Sequence, residues 1–391
     1  MRSFSRAGLS AVTAATMATA TLPLAIVSVL AAALIEEFEI TRVQVGLLVT
    51  ATGFGGAFAS LVFGRLTDRV GGTAATRSVL VAGMFTLTGF ALAPSYVLLL
   101  VAALAHGVSN GWSNPATNTL IVDNVPVGQR GTITGLKQSG VHVGTLLGGL
   151  LLPVFAALWS WRIAVLLFLV MPLSALVAMR GRGRPPVDGG SNALASARLP
   201  NAVWWIALYG WISGVATAAI FGFLPLFAEE DQMWSPQAAG SLLAAVGVIG
   251  IAARIFWPRA SEKGLGHGRT LRILSILSTI TAVLLALAAS GAVSTWVLVP
   301  AALLFGAGSV AWNAVGMLAV MDLSPPGMVG KGTGVVLFGF LLGFAAGSPL
   351  MGFSVDTLGS YQAGWLVAAG LFLVAALIAG RVPARSTLVD S

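Results

Sequence analysis

Long apolar runs, separated by short polar or Gly- and Pro-containing turns, recur along the whole chain. About 20 mainly apolar residues suffice to cross a bilayer as a helix, and twelve runs qualify. They cover 9–35, 42–63, 76–94, 96–122, 132–157, 162–180, 201–228, 236–257, 269–290, 293–321, 331–355 and 362–381. This pattern predicts an all-α integral membrane protein with twelve transmembrane helices. The one long polar stretch, Arg180 through Pro200, is rich in Arg, Pro and Gly and divides the runs six and six. It sets residues 1–180 as an N-terminal six-helix bundle, 181–200 as a cytoplasmic linker and 201–391 as a C-terminal six-helix bundle.

A charged hairpin joins the second and third runs, Phe63-Gly64-Arg65-Leu66-Thr67-Asp68-Arg69-Val70-Gly71. It returns in the second half as Trp257-Pro258-Arg259-Ala260-Ser261-Glu262-Lys263-Gly264, with aromatic, turn-former, Arg, hydroxyl, acid and base in the same order. The halves also match outside the hairpin. Ala102, Ala103, Leu104, Gly107, Asn114 and Asp123 pair with Ala301, Ala302, Leu303, Gly306, Asn313 and Asp322 at a constant separation of 199 residues. Arg130-Gly131-Thr132 pairs with Lys331-Gly332-Thr333 at 201. One folding unit is used twice, and parallel six-helix repeats with a site near the bilayer midplane are a transporter architecture.

Composition agrees. Of the 391 residues, 57% are hydrophobic and 9% charged, against about 25% charged in soluble domains. The net charge of +8 does not point to nucleic acid, because the bases punctuate apolar runs and form neither patch nor arm. With no cysteine, disulfides, thiolate metal sites and a nucleophilic Cys are excluded. If the N-terminus is cytoplasmic, all of the 21 Lys and Arg except Arg42 and Arg162 fall on or toward that side, as the positive-inside rule requires. The acidic clusters Glu36-Glu37-Glu39 and Glu229-Glu230-Asp231 then fall outside. Both termini are therefore expected in the cytoplasm. Residues 9–35 exceed a signal-peptide core and lead straight into another span, so they are expected to be retained. An excess of Arg over Lys with abundant Ala and Gly points toward a GC-rich bacterial genome and the bacterial inner (plasma) membrane.

Twelve spans, a central connector and Gly64-Arg65-Leu66-Thr67-Asp68-Arg69-Val70-Gly71 after the second span resemble the major facilitator superfamily over essentially the whole chain. The resemblance implies two six-helix bundles around a cavity lined by helices 1, 4, 7 and 10, which rock to give alternating access. It also implies a latch that closes the cytoplasmic side, a role that carries to Asp68 and Arg69 with Asp123 as local partner. Arg259 and Glu262 hold the matching places in the second hairpin, where Pro258 replaces the Gly and Glu262 the Asp. The plainer reading is that these charges only set topology. Two departures matter: span 5 lacks the Gly-Pro pair of the drug antiporters, and Ala103 stands where proton-coupled members often carry Arg. A short stretch, Ala253 through Ser261, resembles the helix-8 region of monocarboxylate transporters, which gives Arg254 a carboxylate-binding role.

An ionisable group inside a span is costly and is a functional candidate by default. All thirteen acids lie in loops, tails or helix ends, which leaves His106, Lys137, His142 and Arg254. On span 4, His106, Asn110, Ser113 and Thr117 fall within about 60° of one another on a helical wheel, with Asn114 beside them. Such a stripe either lines a cavity or supplies interhelical hydrogen bonds. On span 5, Gly140, Gly144 and Gly148 form a packing ridge, while Thr134, Gln138, His142 and Thr145 share another face. Lys137 lies about 140° from His142 and either meets substrate or snorkels to the cytoplasm; Arg254 has the same two readings. The repeat counterparts of His106, Lys137, His142 and Arg254 are Phe305, Phe338, Gly343 and Ser60, so the scaffold itself does not require these charges. Trp312 and Asn313, on the repeat partner of span 4, are placed facing the same site. Trp204, Trp205 and Tyr209 open span 7 and read as an interfacial belt.

These residues predict a secondary transporter of a small organic solute, a carboxylate, other organic anion or amino acid. The alternative is an exporter of lipophilic drugs or metabolites. His106 and His142, with ordinary pKa values near 6.5, are the candidates for proton coupling in a symport. The expected partners are a small-molecule substrate, protons and the lipid bilayer. The protein is expected to act as a monomer, without cofactor, metal, nucleic acid or enzymatic chemistry.

Overall fold

The computed structural model describes residues 4–40, 42–182 and 198–383; residues 183–197, most of the predicted linker, lie outside them. Every regular element among the described residues is a helix. In the first half these are α1 (Arg6–Val29), α2 (Ala31–Phe38), α3 (Arg42–Val70), α4 (Gly72–Ala91), α5 (Tyr96–Asn124), α6 (Gly131–Leu158), α7 (Trp161–Leu167) and α8 (Val170–Ala178). In the second they are α9 (Asn201–Glu230), α10 (Pro236–Ala260), α11 (His267–Ala289), α12 (Leu298–Ala307), α13 (Trp312–Leu323), α14 (Val329–Leu358) and α15 (Tyr361–Ala379). Eleven helical stretches among the described residues are long and apolar enough to cross a membrane. Helix α1, with 24 residues and roughly 36 Å of rise, fills the first predicted span. Serine hydroxyls start several of the helices: Ser5, Ser160 and Ser235 accept from the N–H groups of Gly8, Ile163 and Ala238 at 3.1, 3.2 and 3.3 Å, satisfying donors a helix start leaves free.

The chain forms two compact units, Met1–Leu199 with Ser324–Leu337, and Pro200–Leu323 with Phe338–Ser391. The predicted division therefore shifts in one place, because the start of α14 belongs with the first unit. The predicted hairpin loop also shifts. Helix α3 runs through the charged motif to Val70, and the turn is Gly71 alone, at φ 81°, ψ 158°. In the second copy a π-helical turn over Ser261–Leu265 absorbs one extra residue, and Gly266, at φ 76°, ψ 156°, takes the Gly71 role. Both turns need the positive φ that glycine adopts without strain.

Glycine ridges set the inner packing of each unit. A Cβ on Gly140 would lie 2.2 Å from the Ala14 carbonyl oxygen, and one on Gly144 2.9 Å from that of Ala18. In the second unit Gly343 and Gly347 meet the Trp211 and Val215 carbonyls, each at 2.1 Å. Tyr209 is not in an interfacial belt: it is 1% exposed, and its hydroxyl donates to the Leu271 carbonyl at 3.2 Å.

At the end of each unit away from the charged motif, an acid clamps two helices. Glu37 accepts from the Trp161 indole N–H and from Arg162 Nη2, the latter at 2.5 Å. Arg162 also donates to the Ala91 carbonyl at 2.6 Å and lies over the Trp161 ring. In the second unit Glu230 accepts from the Tyr361 hydroxyl at 2.8 Å. Burial pushes the Glu37 carboxyl up, but the Trp161 and Arg162 hydrogen bonds and the Arg162 charge outweigh it and hold the group below the usual carboxylate range. A depressed carboxyl stabilises the fold above its unfolded value of about 4.3, and this contribution is lost as pH falls through the folded value. Glu37→Gln is expected to lower stability at pH 7 by about 1 kcal/mol or less, as for a partly exposed pair. In thermal unfolding the gap to the unmodified protein persists down to the unfolded value and closes as pH is lowered below about 4. A gap that widens on acidification contradicts the assignment.

Candidate functional site

Helix α6 carries Lys137, two turns from its start, to a fully buried position. Helix α5 supplies its acceptors. Lys137 Nζ donates to Asn114 Oδ1 at 2.9 Å and to Asn118 Oδ1 at 2.5 Å. Gln138 Nε2 donates to the same Asn114 oxygen at 2.9 Å, and Asn118 Nδ2 donates to Thr333 Oγ1 at 3.0 Å. Snorkelling is thereby excluded for Lys137: its ammonium is wrapped by neutral amides. A cation removed from water loses several kcal/mol of hydration, which neutral oxygens only partly restore. The arrangement can accept an anion.

The predicted span 4 stripe divides. His106 is 1% exposed; its Nδ1 and the Thr86 hydroxyl lie 2.7 Å apart, and its Nε2 is 3.2 Å from the Ala20 carbonyl oxygen. The Ala20 carbonyl also accepts from Asn110 Nδ2 at 2.9 Å. These two side chains join α5 to α1 and α4, the interhelical role. Ser113 and Thr117 turn back onto their own helix, donating to the carbonyls of Asn110 and Ser113. The face that reaches Lys137 is Asn114 and Asn118, one residue round from the predicted stripe. Asn118 and Thr333 went unnoticed in the sequence, although Asn118 stands one turn beyond Asn114 and Thr333 is the repeat partner of Thr132. His142 is half-buried on another face of α6.

Asp68 is held by backbone N–H groups. From the last turn of α3 it accepts the Gly330 N–H at 2.6 Å and the Lys331 N–H at 2.7 Å, in the first turn of α14. Free N–H groups and the positive dipole end make such a terminus a carboxylate acceptor. The backbones touch here. A Cβ on Gly64 would lie 2.5 Å from the Gly330 carbonyl oxygen, and one on Gly334 2.2 Å from that of Ser60. Ser60 Oγ donates to the Gly334 carbonyl at 3.1 Å. Arg69, expected to share the latch, is exposed. Asp123 accepts the Gly72 N–H at 3.1 Å and anchors the start of α4. Its repeat partner Asp322 lies 3.4 Å from His267 Nε2, at the start of α11. Arg259 is exposed beside the π turn and Glu262 is half-buried within it.

In the second unit, span 10 is broken, which the sequence did not announce. Helix α12 ends at Ala307, a 3₁₀ turn covers Ser309–Ala311, and α13 resumes at Trp312. Carbonyls freed by the break are taken by span 8: Arg254 Nε donates to Val310 at 3.0 Å and Trp257 Nε1 to Ala307 at 2.8 Å. Arg254 is thus half-buried against the break. Trp312 is 2% exposed, with its ring centroid 5.6 Å from Tyr209 and 5.1 Å from Phe340. Asn313, repeat partner of Asn114, is half-buried, and its Oδ1 has no hydrogen-bond partner among the described residues.

The model of the Major Facilitator Superfamily matches residues 9–334 and 206–388. The chain belongs to that superfamily. It is a membrane-spanning transporter of small solutes and not an enzyme. The hexuronate transporter of Bacillus subtilis (strain 168) is 23% identical over 372 residues, 88% of this chain and 86% of its own. Monocarboxylate transporter 13 of Rattus norvegicus is 28% identical over 314 residues, 77% of this chain and 70% of its own. Among solved structures, the superfamily transporter FucP in the outward conformation matches with a TM-score of 0.78. It covers 96% of this chain and 98% of that one at 16% identity, a likeness of fold.

For this superfamily member, the Asp68 contact gives a direct expectation. Charge-assisted hydrogen bonds contribute about 1.5–3 kcal/mol each, so Asp68→Ala should loosen the contact between α3 and α14 by well over about 10-fold. Because the chain has no cysteine, Leu337→Cys, at a position 4% exposed, reports this by maleimide labelling. Asp68→Ala is expected to speed labelling at position 337; an unchanged rate contradicts a closing role.

Proposed function

We propose that this transporter carries a small organic anion, a carboxylate in the first instance, and that Lys137 receives the anionic group. The single observation behind this reading is a fully buried Lys137 whose hydrogen-bond acceptors, Asn114 and Asn118, are both neutral. A carboxylate supplies the missing countercharge, and charge-assisted hydrogen bonds are the stronger kind. Two relatives named for hexuronate and monocarboxylate support the same class. Gln138 and Asn114 orient the cation. Arg254, half-buried in the second unit, is a second candidate for anionic groups.

The end bearing Asp68 is cytoplasmic in this reading, as the cation bias requires, with both termini inside a bacterial plasma membrane. Transport proceeds by alternating access. The Asp68 contact with the first turn of α14 closes the cytoplasmic side and breaks when that side opens. His106 is committed to Thr86 and Ala20, which leaves His142 as the candidate for exchanging protons with the pathway.

Uptake into proteoliposomes tests this reading, with D-glucuronate and L-lactate as probes under an imposed proton gradient or none. The expected result is gradient-stimulated uptake that falls by about 10-fold or more in Lys137→Ala, the scale of a lost buried charge contact. Equal uptake by the variant contradicts the anion site. Uptake of lipophilic cations in place of the acids favours the exporter reading, to which the buried Tyr209–Trp312–Phe340 cluster is suited.

A further inference from the structure

We propose that the end of span 8 binds an anionic phospholipid, with its phosphate at Arg259 and Lys263 and an acyl chain along Ala252 and Phe256. Ala252, Ile255, Phe256, Arg259, Ala260 and Lys263 line a groove of about 450 Å³ in the second unit. Their spacing of three and four residues puts all six on one helix face. Arg259 and Lys263 are both exposed, and neither makes a hydrogen bond or ion pair among the described residues. Cations next to a membrane-spanning stretch attract anionic headgroups.

The face has the order of a lipid. Phe256 is 59% exposed and stands edge-on to Trp257, with ring centroids 5.0 Å apart. Trp257 in turn is fixed by its indole N–H on the Ala307 carbonyl at 2.8 Å, which holds that wall of the groove in place. Arg259 follows Phe256 by roughly 5 Å along the helix, and Lys263 comes next, in the π turn. Apolar surface, an aromatic ring and then two cations match acyl chain, glycerol and phosphate in turn. A free phosphate would leave Ala252 and Phe256 uncovered, so the occupant carries a tail. The helix end opposes an anion with only about half a unit of negative charge, and Glu262 does not line the groove.

The first half is built differently at the matching place. Counted from the paired hairpins, Arg65 and Arg69 repeat the two cations, but Phe58 stands at the position of Ala252. Phe58 is 52% exposed, with its ring centroid 4.8 Å from that of Phe54. A ring there takes up space that Ala252 leaves open. Helix α3 also runs to Val70 as a regular α-helix, without the wider π turn of the second copy. The groove therefore depends on a small residue and a widened turn as well as on the cation pair.

The test uses the whole chain with Val248→Cys, labelled with bimane, in phosphatidylcholine liposomes containing rising fractions of phosphatidylglycerol brominated on its acyl chains. Position 248 is 68% exposed and four residues before Ala252. It lies roughly 16 Å from Arg259 along the helix, within reach of bromines half-way down a chain. Quenching is expected to show about a 10-fold preference for phosphatidylglycerol over brominated phosphatidylcholine, the scale of two cations near an anionic headgroup. Arg259→Gln with Lys263→Gln should reduce the preference to about 2-fold or less. Ala252→Phe, which installs the first-half ring and keeps both cations, should reduce it by about 3-fold or more. Arg269→Gln, an exposed cation outside the groove, should leave it unchanged. Equal quenching by the two lipids in the parent overturns the site. An equal loss in Arg269→Gln, the mark of attraction to surface charge in general, overturns it as well, and so does displacement of the lipid by added inorganic phosphate. If the double variant fails to fold, Ala252→Phe decides the matter, and an unchanged preference in it overturns the groove. Liposomes carry the lipid in both leaflets, so the outcome is independent of which end of the protein is cytoplasmic.

Discussion

A buried ammonium held by neutral amides is the interaction on which this structure turns. Lys137 is enclosed in a bundle whose acids all lie in loops, tails or helix ends. Desolvation of a charge is not fully repaid by Asn oxygens, so the fold tolerates Lys137 at a loss that the scaffold does not need. The repeat makes the point without reference to other proteins: the corresponding position holds Phe338, and the second half folds with it. An expense of stability confined to one half, in the interior of a transporter, is what supports the proposal that Lys137 meets the substrate.

The same region explains why Ser324–Leu337 groups with the first unit. Glycines at 64, 330 and 334 let two backbones meet with no side chain between them, and Asp68 fills the free N–H groups at the start of α14. Shape and charge act together here. Glycine alone would give a contact that slides, and the carboxylate fixes its register; the carboxylate alone could not bring the helices close enough. Ser60 on the Gly334 carbonyl and Asn118 on Thr333 add further holds, and Asn118 also touches Lys137.

Much of this was readable from the chain. Twelve spans follow from run length, and the paired hairpins and repeat matches identify one unit used twice. Lys137 stood out because it breaks the repeat. What stayed hidden depends on contacts distant in sequence or on small rotations. The stripe from His106 to Thr117 lies one residue round from the face that meets Lys137, which hides Asn118, and His106 is a link to Thr86 and Ala20. Thr333 lies 215 residues from Asn118, beyond the reach of any local pattern. The π turn at Ser261–Leu265 and the break in span 10 leave no periodic signature, because neither changes the apolar run that contains or borders it. The Glu37 and Glu230 clamps join acids to Trp161 and Tyr361, pairs that composition cannot reveal.

The most direct test of a carboxylate-receiving Lys137 compares a bound acid with its uncharged amide of the same shape, by calorimetry on the unmodified protein. A lost charge contact in a buried site is worth about 2–5 kcal/mol, and about 1.4 kcal/mol is tenfold in affinity. The amide should therefore bind about 30-fold more weakly or worse, and Lys137→Gln should abolish most of that difference. Equal affinity for acid and amide in the unmodified protein would contradict the account.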